Sequence, residues 1–306
     1  MKSFASIGML ACALLLQGAC SSPGKTYDTP AEAADALVGA VTPIDEQNVR
    51  TVLGSNGLKV LREGDPADAE ENAARFREAF QARHAFVENE NGSMTLEVGG
   101  DAWPFPIPLV KSGTGWRWDT DAGEEEILTR RIGRNELDAI QSCLAVIDAQ
   151  REYAASGAGG TQGIYADRFV SSEGMRNGLY WPTGPGEAPS PLGPTLADAT
   201  PEVLAAAAKG RGPRSFHGYR FRMLRSQGAM APGGAMNYEK DGHLTGGFAV
   251  VAWPAEYGRT GIMTFMTSNS GVVFERDLGS GTEGTAMRMR TFDPTKEWLV
   301  VPLDQE

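Results

Sequence analysis

Apolar positions along the chain change period three times, and each change marks a change of element. From Ala34 through Leu37, Val38 and Val41 they recur at three and four residues, the spacing of one helical face. Thr29-Pro30-Ala31-Glu32 supplies the start: Thr29 as cap, Pro30 at the first helical position and Glu32 placed to complete a capping box. A second helix is expected over Asp45 to Leu53, stopped by Gly54. A third is expected from about Asp68 to Val87, with Phe76, Phe80 and His84 on one line. The period then falls to two. Met94 to Val98 alternates, Trp103 to Val110 is held extended by three prolines, and Gly113-Thr114-Gly115 turns the chain into Trp116 to Asp119.

The pattern repeats in the second half. Glu124 to Arg134 reads as a polar connector with helical potential. Leu137, Ile140, Leu144 and Ile147 then form an amphipathic helix that fades in the glycine-rich run Gly157 to Gly160. Residues from Thr161 to Pro213 are irregular apart from a short helix expected over Thr200 to Lys209. Tyr219, Phe221 and Met223 alternate with Arg220, Arg222 and Leu224, a half-covered strand. Gly247 to Pro254 is nearly all apolar and reads as a central strand. Gly261 to Met266 and Val272 to Glu275 pair through the turn Ser268 to Gly271.

These elements give an α+β chain: N-terminal helices with a curved antiparallel sheet (29–122), then an amphipathic helix on an antiparallel meander (123–306). By pattern the first part resembles the NTF2-like or cystatin-like fold, and the second the globular head of type IV pilins and pseudopilins. The second lacks a prepilin cleavage site followed by an apolar helix.

The start of the chain carries an address. Lys2 precedes an apolar core, Ile7 to Leu16, of about ten residues, the length of a signal-peptide core and too short to span a bilayer. Gly18-Ala19-Cys20 follows as a lipobox, with Gln17 where an aliphatic residue is usual. Residues 1–19 are read as a signal peptide, Cys20 as the lipidation site and 20–28 as a tether. In a Gram-negative envelope, Ser21 and Ser22, without an aspartate, favour an outer-membrane destination facing the periplasm. Ordinary secretion with cleavage near Ala19 is the alternative.

Composition then narrows the function. A net charge of −11 disfavours sequence-independent nucleic-acid binding. Of three cysteines, only Cys143 belongs to the body, so no internal disulfide is expected there and the thiol is read as buried. No cofactor or metal motif is found.

Six segments in one order resemble the DUF2950 family of exported bacterial proteins. They are Trp103 to Val110; Arg131-Ile132-Gly133-Arg134-Asn135-Glu136-Leu137; Gly178 to Pro182 with Ser190 to Gly193; Phe216-His217-Gly218-Tyr219; Ala231 to Ala235; and Pro254-Ala255-Glu256-Tyr257-Gly258. The resemblance runs from about Thr29 to Phe292 and brings no catalytic residue with it.

Two sets of residues are candidates for binding. His217 stands with Arg214, Tyr219, Arg220 and Arg222 in a basic cluster within an acidic chain, suited to an anionic group; a solvated strand face is the alternative. Trp103, Trp116 and Trp118 either line a pocket or pack as core. The leading expectation is a non-catalytic envelope lipoprotein that binds a protein or polymer partner. An envelope hydrolase using His217, or a small-ligand carrier with an aromatic pocket, are the alternatives.

Overall fold

A computed structural model describes residues 22–62, 66–193 and 215–302. The signal segment, Cys20, Arg214 and the expected helix at Thr200 to Lys209 lie outside the described residues. The chain is α+β and divides into two compact units at Ile127/Leu128.

The first unit opens with α1 (Pro30–Val41), α2 (Glu46–Leu53), α3 (Gly57–Leu61) and α4 (Pro66–Ala82). The Thr29 hydroxyl accepts the Glu32 amide at 3.2 Å, and the Asp45 carboxylate accepts the Asn48 amide at 2.9 Å. Such caps stabilise a helix by about 1 kcal/mol each. Glu32 reaches back to the Asp28 amide at 3.3 Å, one residue beyond the usual partner in a capping box. Gly54 ends α2 at φ 79°, donating its amide to the Arg50 carbonyl.

The third expected helix is shorter than its periodicity suggested. Helix α4 stops at Ala82, and His84 opens strand β1 (His84–Glu88) with its ring stacked on Phe80 at 4.0 Å. The aromatic line was real, but one member sits beyond the end of the helix. Strands β2 (Met94–Val98), β3 (Trp103–Pro104), β4 (Leu109–Ser112) and β5 (Gly115–Trp118) complete an antiparallel sheet in the order β1-β2-β4-β5, with β3 also on β2. Leu96, Val98, Leu109 and Trp118 face the helices and are buried with Leu37, Val49 and Phe80.

Helix α5 (Thr120–Ser156) is continuous, so the segment read as a polar connector is helix throughout. In the second unit, β6 (Tyr219–Leu224) precedes four two-residue strands: β7 (Ser226–Gln227), β8 (Met236–Asn237), β9 (Glu239–Lys240) and β10 (His243–Leu244). Then follow β11 (Ala249–Pro254), β12 (Met263–Ser268), β13 (Val273–Asp277), helix α6 (Thr282–Arg288), β14 (Thr291–Phe292) and β15 (Leu299–Val300).

The main sheet runs β15-β13-β12-β11-β6, antiparallel throughout. Both its faces are covered. Tyr219, Ala252, Phe265 and Val273 pack with Ala139, Ile140 and Cys143 of α5. Leu224, Val251, Trp253 and Met266 pack with Ala286 of α6 and with Phe292. Every residue of β11 is consequently buried, as its unbroken apolar run implied.

Candidate functional site

The most organised polar region of the second unit lies where α5 meets the start of β6 and the β11–β12 connection. Phe216 and Tyr219 exchange both backbone hydrogen bonds, at 2.7 and 2.9 Å, around the two residues His217 and Gly218. Both have positive φ, 47° and 74°. That is a type I′ hairpin turn, which requires φ above zero at both central positions. Histidine is among the non-glycine residues that tolerate this conformation, at some strain. Gly218 is required twice over, since a Cβ there would also lie 2.5 Å from Nδ2 of Asn135.

Helix α5 braces the facing loop through residues that approach its backbone. Arg131 Nε donates to the Arg259 carbonyl at 3.1 Å, and Asn135 Nδ2 to the Thr260 carbonyl at 2.8 Å. One oxygen of Glu136 accepts the amides of Ile262 and Met263, at 2.8 and 3.0 Å. The Tyr219 hydroxyl donates to the Met263 carbonyl at 2.9 Å, and burial pushes it well above the usual phenol range. Gly261 makes room for that ring, because a Cβ there would lie 2.2 Å from the hydroxyl.

Two carboxylates complete the corner. Asp138 Oδ2 lies 3.7 Å from Nδ1 of His217, and both side chains are about half exposed (49 % and 41 %). Glu275, on the sheet face toward α5, is raised above the ordinary glutamate range by burial and then by the charge of Glu136. One carboxylate fixed by two amides, beside one biased toward protonation, is a pair with divergent environments.

The basic cluster read from the sequence is not assembled as one surface. Tyr219 is buried toward α5, whereas Arg220 and Arg222 point to the opposite face. Arg220 pairs with Glu283 of α6. Arg222 donates to the carbonyls of Ala286, Met287 and Met289, capping the end of α6, and burial lowers it from the usual arginine value. Arg225 bonds Glu239 at 2.8 Å and Asp167 at 3.1 Å. Strand alternation revealed the arginines but not their partners, which lie up to 67 residues away.

The tryptophans likewise have separate roles. Trp118 is fully buried, and its Nε1 donates to the Ala33 carbonyl at 3.0 Å. Trp103 remains 44 % exposed, edge-on to Phe105. Trp116 carries Lys111 Nζ at 5.6 Å and pairs its backbone with Tyr27. Cys143 is buried and its thiol is pushed up to about 12, far from a reactive thiolate. Among the described residues no group of three or more potential metal ligands is present.

The family model described as "Protein of unknown function (DUF2950)" matches residues 24–301. The chain belongs to the DUF2950 family. No curated protein and no solved structure matches it. Three of the segments that carry the DUF2950 resemblance, Arg131 to Leu137, Phe216 to Tyr219 and Pro254 to Gly258, converge on the corner just described. His217 was legible as a candidate. Asn135, Glu136, Asp138 and Glu275 were missed, because in sequence they are ordinary polar positions of a helix and a strand.

Proposed function

We propose that this DUF2950 chain is an exported envelope protein, anchored through lipid on Cys20, that binds an envelope protein or polymer through the His217 corner without catalysing a reaction. One observation carries the binding site: a non-glycine residue stands at φ 47° with its ring exposed, on a turn braced from α5. Backbone strain kept at a supported surface position is a mark of function. Asn135, Glu136 and Tyr219 are turned inward onto backbone groups, while His217 and Asp138 face solvent beside the exposed Leu137. The anchor rests on the Lys2, Ile7 to Leu16 and Gly18-Ala19-Cys20 pattern. Together with Ser21 and Ser22 this supports the periplasmic face of an outer membrane. Among the described residues no helix is long and apolar enough to cross a membrane.

In-cell cross-linking tests the proposal. The unchanged chain is expected to capture a discrete partner, and Cys20→Ser and His217→Ala each to lose it while remaining folded. Capture that is indifferent to both substitutions contradicts the reading.

The Asp138–His217 approach favours one other reading, a hydrolase in which Asp138 orients the imidazole as a general base. Asp138→Asn separates the two. A base loses its orienting partner and activity falls with it, whereas a recognition histidine continues to capture its partner.

A further inference from the structure

A row of four side chains crosses the main sheet on the face covered by α6. Arg220 stands opposite Trp253, and Thr264 opposite Arg276. The register that pairs Ala252 with Phe265 brings Trp253 and Thr264 together at the next step. Directly opposite residues of antiparallel strands point to the same face, and neighbouring strands lie about 5 Å apart.

Three atoms of this row are buried without a hydrogen-bond partner: Nε of Arg220, Nε1 of Trp253 and Oγ1 of Thr264. Trp253 and Thr264 are enclosed, at 1 % and 0 % exposed, and the Arg220 side chain, 29 % exposed, closes the row toward solvent. The guanidinium and indole N–H groups are donors only, and the hydroxyl can rotate to donate as well. The remaining charge of the row is matched: Arg220 Nη1 pairs with Glu283, and Arg276 with Glu297 at 2.6 Å. Each of the three atoms lacks an acceptor within the protein.

We propose that the Arg220–Trp253–Thr264 row is a binding site for a small monoatomic anion of the chloride class. Such an ion accepts hydrogen bonds from any direction. A phosphate or sulfate has acceptors on every side and would leave most of them unmet in a site with three donors. Donor-only groups select against a cation. The site sits on the α6 face, away from His217, so it stands or falls independently of the binding corner.

The test uses the full chain carrying Cys20→Ser, crystallised in sodium bromide and melted in solution. An anomalous peak is expected between the three atoms. At equal ionic strength the melting temperature is expected to be several degrees higher in chloride or bromide than in gluconate, and Thr264→Val is expected to abolish that difference. Thr264→Val is close in volume and keeps the strand, so loss of folding does not obscure the result. A water-like density without anomalous signal overturns the proposal. So does bromide bound only at crystal concentration, with melting indifferent to the anion. A halide effect that survives Thr264→Val overturns it as well.

Discussion

Two buried tryptophans, one in each unit, receive opposite treatment. Trp118 of the first unit gives its indole N–H to a helix carbonyl, and nearby Thr120 donates to the Leu53 carbonyl at 2.6 Å. Trp253 of the second unit is as deeply buried, yet its indole N–H has no protein acceptor. The first unit behaves as a closed core: an aromatic sheet face, covered by helices, with these polar atoms satisfied internally. The second draws charged side chains inward, onto α6, onto the β11–β12 loop and into one unsatisfied row. Buried polar groups without partners are uncommon and call for an explanation. The proposed binding corner and the proposed anion row both lie in the second unit.

The sharpest way to break this contrast is at the two indoles. Trp118→Ala should destabilise the first unit by about 3–5 kcal/mol, the cost of emptying a large core site. Trp118→Phe should still cost roughly 1–3 kcal/mol in every buffer, through the volume left empty and the lost indole hydrogen bond. Trp253→Phe should cost more stability in chloride than in gluconate, on top of a packing loss common to both salts. Denaturant melts in the two salts check all three; equal behaviour of the two phenylalanine variants erases the distinction.

Glu136→Ala comes next. It leaves the Ile262 and Met263 amides without their acceptor, at roughly 1–3 kcal/mol, with faster amide exchange confined to the β11–β12 loop. His217→Gly should go the other way. Glycine adopts φ 47° without strain, so stability should hold or rise by about 1 kcal/mol while partner capture is lost.

The smallest effect concerns pH. Glu275 titrates above its unfolded value, so the folded chain binds its proton more tightly. That contribution is fully present below the unfolded glutamate value and disappears as pH rises through the folded one. Glu275→Gln should therefore stabilise the protein at neutral pH, by less than about 1 kcal/mol after solvent screening, and should make no difference in acid. Melting curves across that range check the sign.

Local signals carried most of the architecture. Thr29-Pro30, Asp45 and Gly54 mark real helix ends, because caps act within one turn. The unbroken run of β11 revealed a sheet covered on both faces. Where local pattern competed with tertiary packing, the reading slipped. The Phe76–Phe80–His84 line continued a helical period past the true end of α4, since stacking onto Phe80 satisfies His84 from a strand equally well. The polar start of α5 read as a connector with helical potential and is helix, as its glutamates and arginines favour. The corner was only half legible. His217-Gly218 ahead of an alternating strand carried the signature of a type I′ turn, and that signal was available. Glu136 could not be singled out, because its partners are backbone amides 126 and 127 residues away, with no side-chain motif of their own.

The central claim, that the His217 corner recognises a partner, is most directly tested by the capture yield of His217→Gly relative to the unchanged chain, at matched levels of folded protein in the envelope. A variant at least as stable as the parent, with capture reduced to background, is the expected result. Full capture by that variant would show that the strained histidine is not what the partner reads.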